Sequence, residues 1–231
     1  MMGIKLIAFD FDGVIPVEES PQYLLEKLGL KKENDLLAAE FYAGLAAAKD
    51  DAERDLVPAR VWVKSFALYR RFPLRKMKKI TEGLPLIPGS KEMFNYCREN
   101  GIKTAILSAT VLPILEWNLS KHKIAPDYIF GSECTAKNGR FDRLVSVLSP
   151  LGKRGEMEKL IRILKIAPAD CLAVGDSISE VPMFKLVGRK NSVAFHYRQD
   201  ISEYCDHLLY KQNDAERDLR KIIGVVEGKN K

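Results

Sequence analysis

The first fourteen residues constrain the fold of this chain more than any other segment does. An apolar run over residues 4–9 ends abruptly in Asp10-Phe11-Asp12-Gly13-Val14. A short apolar run that stops at turn residues is typical of a buried strand, here one with two carboxylates at its C-terminal end. In an open parallel α/β sheet, ligands bind at the carboxyl ends of the strands. Asp10 and Asp12 are therefore predicted to hold a metal ion or to take part in a nucleophilic attack.

Later segments place further polar side chains in comparable positions. Residues 103–108 form a short apolar run that ends in Ser108, and residues 171–176 form another that ends in Asp176. Glu180 follows Asp176 by four residues, and Lys153 stands just before an apolar pattern at positions 157, 160, 161 and 164. That spacing indicates a helix with one buried face. The candidate site therefore consists of Asp10, Asp12, Ser108, Lys153, Asp176 and Glu180.

These residues, in this order, resemble the four motifs of the haloacid dehalogenase-like hydrolase superfamily, and within it the phosphoserine phosphatase group. The matching segments are DFDGV, the hydroxyl of ILSAT, Lys153, and GDSISE. The resemblance extends over nearly the whole chain, and it includes Pro182-Met183-Phe184 after the last motif. It implies a phosphoric monoester hydrolase that passes through an aspartyl-phosphate.

The chemistry of the residue types agrees with that implication. A carboxylate can attack a phosphate ester only when the charge of the phosphate is neutralised, which calls for a divalent cation and a lysine. Asp10 is the predicted nucleophile. Asp12 lies two residues further on, where the strand turns into a loop, so it can protonate the leaving alcohol and later deprotonate the attacking water.

The predicted cofactor is Mg²⁺, which prefers a compact shell of oxygen ligands and retains several waters. The candidate ligands are Asp10, the backbone carbonyl of Asp12, and Asp176. Glu180 lies one helical turn beyond Asp176, so it would bind the ion through water or hold a ligand in place. An alternative for Glu180 is a first-turn acid that interacts with a helix dipole.

Ser108 and Lys153 are predicted to bind the phosphoryl group, the first through its hydroxyl and the second through a compact positive charge. Each also has a purely structural alternative. Ser108 could cap a helix, because a strand-to-helix turn often carries such a residue. Lys153 could be one of several solvated loop cations, with Arg154 as the phosphate ligand instead.

Composition excludes several classes of protein. With 231 residues, 46% of them hydrophobic, the chain can bury one substantial core and a modest accessory unit. The N-terminal apolar run is too short for a signal peptide, and nothing else approaches a membrane span. Four widely spaced cysteines favour reduced thiols and a cytoplasmic protein. The net charge of +6 is spread along the chain, which favours a small phosphorylated metabolite over nucleic acid as partner.

Helical patterns fill residues 20–82, where no strand pattern occurs. Ser20 is predicted to cap the first helix, with Pro21 at its first position and Gly29 at its end. Pro58 is predicted to start or kink a later helix. Because this insert falls between the first and second motifs, it resembles the small helical cap that the family places over its active site. Such a cap would exclude bulk water from the reaction.

The rest of the chain alternates strands and helices. Strands are expected at residues 128–131 and 192–195, a hairpin at residues 133–144, and a closing helix at residues 214–226. The predicted fold class is α/β, a doubly wound, Rossmann-like and mostly parallel sheet of about five or six strands with short extra strands. We expect a catalytic core of residues 1–17 and 84–231, and a helical cap of residues 18–83.

Substrate recognition is predicted from the resemblance. Glu19 stands where phosphoserine phosphatases carry a glutamate that meets the amino group of the substrate, with Glu18 as the alternative. Arg60 is the candidate counterpart of the family arginine that binds the substrate carboxylate.

Two departures from the family pattern bear on that prediction. Ala109-Thr110 replaces two glycines, and Ser177-Ile178-Ser179-Glu180 replaces a small, asparagine-bearing turn that ends in aspartate. They leave the phosphoryl chemistry intact but weaken the case for serine. The expected function is a magnesium-dependent phosphatase with a phosphoserine-like substrate. The alternatives are a different small phosphate monoester, or a phosphotransferase or phosphomutase reaction.

Overall fold

The computed structural model describes residues 3–197, 201–211 and 216–228. Within these ranges seven strands form a single sheet. In chain order the strands are β1 (Leu6–Phe9), β2 (Lys103–Val111), β3 (Tyr128–Lys137), β4 (Arg140–Ser146), β5 (Cys171–Gly175), β6 (Ser192–Tyr197) and β7 (His207–Lys211). The spatial order is β4-β3-β2-β1-β5-β6-β7, and only the β3–β4 pair is antiparallel. The predicted doubly wound, mostly parallel sheet is confirmed.

Helices cover both faces of this sheet. In chain order the described helices are α1 (Ser20–Lys27), α2 (Lys31–Ala47), α3 (Asp51–Tyr69), α4 (Leu74–Thr81), α5 (Ser90–Glu99), α6 (Leu112–His122), α7 (Pro150–Leu164), α8 (Val181–Val187) and α9 (Lys221–Val226). Side chains alternate along β1 as they do in any strand. Ile7 and Phe9 therefore pack in a cluster with α5, α6 and α9, while Leu6 and Ala8 pack in a cluster with α7 and α8.

Helices α1 to α4 lie between β1 and β2, and no strand interrupts residues 20–81. Their apolar residues, among them Leu24 and Phe66, form a third cluster with Phe141 of β4. The chain leaves the sheet and returns to it at adjacent points. There the amide of Val17 donates a hydrogen bond to the carbonyl of Pro85 at 2.9 Å. The domain boundaries at residues 18 and 83 remain a prediction.

Two local predictions are wrong in detail, and a third is wrong in one of its two alternatives. Helix α3 begins at Asp51, capped by the side chain of Asp50, and continues through Pro58, so Pro58 does not start a helix, and the kink stays a prediction. Glu19 occupies the N-cap of α1, so Ser20 is the first helical residue. The closing helix begins at Lys221 rather than at residue 214. Residues 212–215 lie outside the described ranges.

The predicted strands at residues 128–131 and 192–195 correspond to β3 and β6, and the hairpin is formed by β3 and β4 at one edge of the sheet. Its two turn residues, Asn138 and Gly139, have φ values of 52° and 70°. Positive φ at both positions is the requirement of a tight hairpin turn that matches the twist of its strands. None of the described helices is long and apolar enough to cross a membrane.

Candidate active site

Three adjacent strands, β2, β1 and β5, end at one cavity with an accessible volume of about 100 Å³. The amide of Asp10 donates to the carbonyl of Val174 at 2.9 Å, so strand pairing continues up to the first candidate carboxylate. Six of the predicted site residues line this cavity: Asp10, Asp12, Glu19, Ser108, Lys153 and Asp176. The carboxyl ends of parallel strands are where an open α/β sheet binds ligands.

Ser108 lies inside a strand rather than at a helix start. β2 continues for three residues beyond it to Val111, and α6 begins only at Leu112. The prediction that the strand ends at Ser108 is therefore wrong. The alternative that Ser108 caps a helix is excluded. The Ser108 hydroxyl accepts a hydrogen bond from the amide of Thr110 at 3.1 Å, and the side chain is buried at the cavity.

Lys153 carries the positive charge of the cavity. Its Nζ lies 2.9 Å from Asp10 Oδ1 and 2.8 Å from Glu180 Oε1, and its side chain is 3% exposed. It stands in the first turn of α7, which begins at Pro150, and not ahead of the helix as the sequence suggested. Arg154, the alternative, instead forms an ion pair with Glu158 at 2.9 Å and does not line the cavity.

Glu180 is fully buried and has both oxygens engaged by donors. Oε1 accepts from Lys153 Nζ and from Ser179 Oγ, and Oε2 accepts from the amide and the hydroxyl of Ser177 at 3.0 and 2.9 Å. Glu180 thus joins the loop after β5 to the helix that carries Lys153. The two serines were noted in the sequence only as a departure from the family pattern.

The carboxylates around Lys153 have strongly perturbed acidities. Burial, together with the nearby charge of Glu180, raises the pKa of Asp10 and of Asp176 well above the usual range, although Lys153 opposes the shift. Burial also disfavours the charged form of Glu180, but the charge and hydrogen bond of Lys153 outweigh it and lower the pKa of that group. The site therefore brings together more carboxylates than its single lysine can neutralise.

The carboxylates of Asp10, Asp176 and Glu180 each offer an oxygen, and these oxygens lie within 4.8 Å of one another. Two glycines permit that approach. A Cβ on Gly13, which has a φ of +77°, would lie 2.2 Å from Asp176 Oδ2, and a Cβ on Gly175 would lie 2.1 Å from Glu180 Cγ. An all-oxygen cluster of this kind is the donor set that hard divalent cations prefer.

Asp12 is held by two donors at the edge of the cavity. Its Oδ1 accepts from the amide of Ser20 at 2.7 Å, and its Oδ2 accepts from Thr110 Oγ1 at 2.6 Å. The hydroxyls of Ser20 and Thr110 also lie 3.2 Å apart. The sequence marked Thr110 only as a side chain in place of a glycine, so its contact with Asp12 was missed.

Only one of the residues expected to bind the substrate lines the cavity. Glu19 lines the cavity, whereas Glu18 is exposed and does not. Arg60 is exposed on α3 and is absent from the described cavity lining, so the structure does not bring it to the site. The sequence missed three aromatic residues that do line the cavity, Phe41, Tyr42 and Trp62. Their spacing in the sequence is the same as that of ordinary core residues, so nothing in the sequence marked them as residues of a site.

Comparison with known proteins identifies the class to which this fold and site belong. The family model of haloacid dehalogenase-like hydrolases matches residues 4–188. The chain therefore belongs to the haloacid dehalogenase-like hydrolases, and the resemblance drawn from its motifs is confirmed.

Within that family the chain is similar to phosphoserine phosphatases. It is 27% identical to the phosphoserine phosphatase of Methanocaldococcus jannaschii over 225 residues, which cover 96% of this chain and 98% of that protein. A substrate-bound phosphoserine phosphatase structure superposes with a TM-score of 0.76 at 23% identity, covering 95% of this chain and 97% of that one. A hydrolase of the family from Salmonella enterica superposes with a TM-score of 0.78 at 18% identity, covering 96% and 71%.

The buried ion pairs of Lys153 lead to a stability prediction. Lys153→Met should lower the free energy of unfolding by about 3–5 kcal/mol, because it leaves buried carboxylates without their counter-charge. Denaturant titration measures the change. Lys159→Met is the matched control in the same helix, since its ion pair with Glu156 is on the surface, and should cost at most about 1 kcal/mol. Equal losses in the two variants would contradict the assigned role of Lys153.

Proposed function

We propose that this protein is a magnesium-dependent phosphatase that hydrolyses a small phosphate monoester through an aspartyl-phosphate on Asp10. The observation that carries the proposal is the buried contact between Asp10 and Lys153, at 2.9 Å, at the carboxyl end of the central strand. It joins a carboxylate and a phosphate-binding cation in one cavity. The family and the phosphoserine phosphatases among its relatives support the same reaction class.

The residues present fit a divalent cation. Four carboxylates, those of Asp10, Asp12, Asp176 and Glu180, surround a single ammonium, and burial raises the pKa of two of them. Asp10, Asp176 and the backbone carbonyl of Asp12 would hold Mg²⁺. Because both oxygens of Glu180 already accept hydrogen bonds, we assign it to positioning Lys153 and not to the metal. The bound ion would supply the positive charge that lets a phosphate approach a carboxylate.

In the first half of the reaction, a carboxylate oxygen of Asp10 attacks phosphorus and the bond from phosphorus to the ester oxygen breaks. The Lys153 ammonium and the Ser108 hydroxyl stabilise the charge on the phosphoryl oxygens. Asp12 donates its proton to the departing alkoxide, so the leaving group exits as a neutral alcohol.

In the second half, Asp12 takes a proton from water, which attacks phosphorus and releases inorganic phosphate and the Asp10 carboxylate. Both roles require the carboxyl group of Asp12 to keep the same orientation in the two steps. Its hydrogen bonds with the Ser20 amide and the Thr110 hydroxyl would provide that support.

Helices α1 to α4 would form a cap of residues 18–83 over the core of residues 1–17 and 84–231. In support, Glu19, Phe41, Tyr42 and Trp62 from this insert line the same cavity as Asp10. The insert would exclude bulk water from the site during phosphoryl transfer and would contact the leaving group. Phosphoserine is the substrate suggested by the relatives and by Glu19, but the exposed position of Arg60 leaves the carboxylate of that substrate without its predicted partner.

The nucleophile is tested by Asp10→Asn, which keeps the volume of the side chain but removes its nucleophilic oxygen. Phosphate release from p-nitrophenyl phosphate should fall roughly a thousandfold or more, with the circular dichroism spectrum unchanged. Asp170→Asn is the matched control, because Asp170 precedes β5 at the amino ends of the strands, away from the cavity, and pairs with Lys5. Substantial turnover by a folded Asp10→Asn variant would rule the mechanism out.

The metal is tested by thermal unfolding, which is independent of activity. At about a hundred times its dissociation constant Mg²⁺ should stabilise the protein by about 2.7 kcal/mol, or roughly 5–11 °C in the melting temperature. Asp176→Asn should abolish most of this rise, whereas Glu99→Gln, at an exposed position on α5, should retain it. A Mg²⁺-induced rise that survives in Asp176→Asn would remove Asp176 from the ligand set.

The support of Asp12 is tested by Thr110→Val, which keeps the shape of the side chain and removes its hydroxyl. Losing a hydrogen bond to a charged group is worth about 1.5–3 kcal/mol, so kcat should fall roughly ten- to a hundredfold with little change in KM. Thr110→Ser keeps the hydroxyl and should recover most of the rate. If the serine variant is as slow as the valine variant, Thr110 acts through packing alone.

A further inference from the structure

A second cavity, with an accessible volume of about 120 Å³, lies between α1, α2 and α3 and adjoins the catalytic cavity. The two cavities share five lining residues, namely Glu19, Pro21, Phe41, Tyr42 and Trp62. A phosphate ester bound at Asp10 can therefore extend its alcohol between the helices.

The walls of the second cavity are flat and largely apolar. Trp62 is 7% exposed, and the rings of Phe41 and Tyr42 pack edge to face with centroids 5.5 Å apart. Leu37 and Val61 line the same space. Aromatic rings attract other flat rings through offset or edge-to-face packing. A polyol with a hydroxyl on every carbon would instead bury hydroxyls against these aliphatic and aromatic groups, which is unfavourable.

Two polar side chains from different helices line this cavity. Asn34 of α2 is 6% exposed and Ser65 of α3 is 5% exposed. Neither side chain makes a hydrogen bond to a described residue, and their polar atoms are not fully closed to solvent. A ligand that enters the cavity can therefore replace water as their hydrogen-bond partner. The Asn34 amide offers a donor and an acceptor side by side.

The charge of the second cavity favours an uncharged group. Among the described residues that line it, Glu19 is the only charged side chain. Burial, with the nearby charges of Asp176 and Asp12, raises the pKa of Tyr42 to about 12, so its phenol stays protonated. A carboxylate-bearing alcohol would meet a negative side chain here and no described cation.

We infer that the substrate of the proposed phosphatase is a phosphate monoester whose alcohol carries a flat, uncharged heterocycle, as nucleoside monophosphates do. The ring packs against Trp62 and the neighbouring aromatic side chains, and its polar edge meets the Asn34 amide and the Ser65 hydroxyl. The inference rests on the proposed phosphatase activity, since it names the leaving group of the same reaction.

The test compares nucleotides with a sugar phosphate that lacks the heterocycle and with phosphoserine. In Mg²⁺, kcat/KM is measured for the four common nucleoside 5′-monophosphates, for ribose 5-phosphate, which lacks the base, and for phosphoserine. Stacking of a base on an aromatic side chain is worth about 1–3 kcal/mol, so at least one nucleotide should exceed ribose 5-phosphate by roughly tenfold or more. If ribose 5-phosphate or phosphoserine is hydrolysed as efficiently as every nucleotide, the inference is overturned.

Variants of Asn34 and Ser65 then test whether these residues bind the heterocycle. Asn34→Leu keeps the volume of the side chain and removes its amide, and should lower kcat/KM for the preferred nucleotide about tenfold, mainly through KM. Ser65→Ala is a milder second variant that should act in the same direction. Ribose 5-phosphate should be hydrolysed at unchanged efficiency by both variants. Lys32→Leu, at an exposed position on α2, is the control and should change neither substrate. An equal loss on both substrates would mean that Asn34 and Ser65 only support the helices.

The same measurements separate the two proposals. Hydrolysis of ribose 5-phosphate that Asp10→Asn abolishes, without any preference for a base, would sustain the phosphatase and refute the heterocycle subsite. The absence of phosphate release from every compound in Mg²⁺ would refute the phosphatase, and the subsite would fail with it.

Discussion

The buried ammonium of Lys153 is the interaction on which the site depends. It lies within 3 Å of two carboxylates, Asp10 at 2.9 Å and Glu180 at 2.8 Å, in a position almost closed to solvent. Two buried carboxylates would repel one another and lose hydration, and removing their counter-charge leaves that cost uncompensated. Because Lys153 belongs to α7, Asp10 ends β1, and Glu180 follows β5, one set of contacts fixes three elements relative to one another. Asp176 adds a further buried carboxylate, and its oxygens lie within 4.8 Å of those of Asp10 and Glu180, a donor set of the kind that divalent cations prefer.

Backbone geometry makes this concentration of charge sterically possible. Gly13 and Gly175 occupy the two points where a side chain would collide with Asp176 and Glu180. Gly13 has in addition a positive φ, which a residue with a Cβ rarely adopts. The glycines of the first and last motifs therefore serve the carboxylates directly, since they decide how closely the loops after β1 and β5 can approach.

The sequence predicted the sheet and the strand-end residues because those depend on local rules. Apolar runs that stop at Asp10 and Asp176 identify buried strands and their carboxyl ends without any tertiary information. The end of β2 was misplaced because Ala109, Thr110 and Val111 are as compatible with a strand as with a turn. Pro58 left open whether a helix starts or bends there, because proline removes one helical hydrogen bond, whereas the packing of buried neighbours such as Trp62 and Phe66 keeps α3 continuous.

The helix residues that line the cavity could not be identified from the sequence, for a different reason. Arg60 and Trp62 are two residues apart on α3, so a helical period turns them in different directions, one to solvent and one to the interior. Only the arrangement of α2 against α3 reveals which of them meets the cavity. The same holds for the departure at Ala109-Thr110, which in the sequence looked like an obstruction. In the structure Ala109 forms part of the cavity wall, while Thr110 turns to Asp12. The candidate carboxylates Asp10 and Asp176 thus follow strands that motifs can identify, whereas the aromatic residues that line the cavity lie on helix faces that only packing defines.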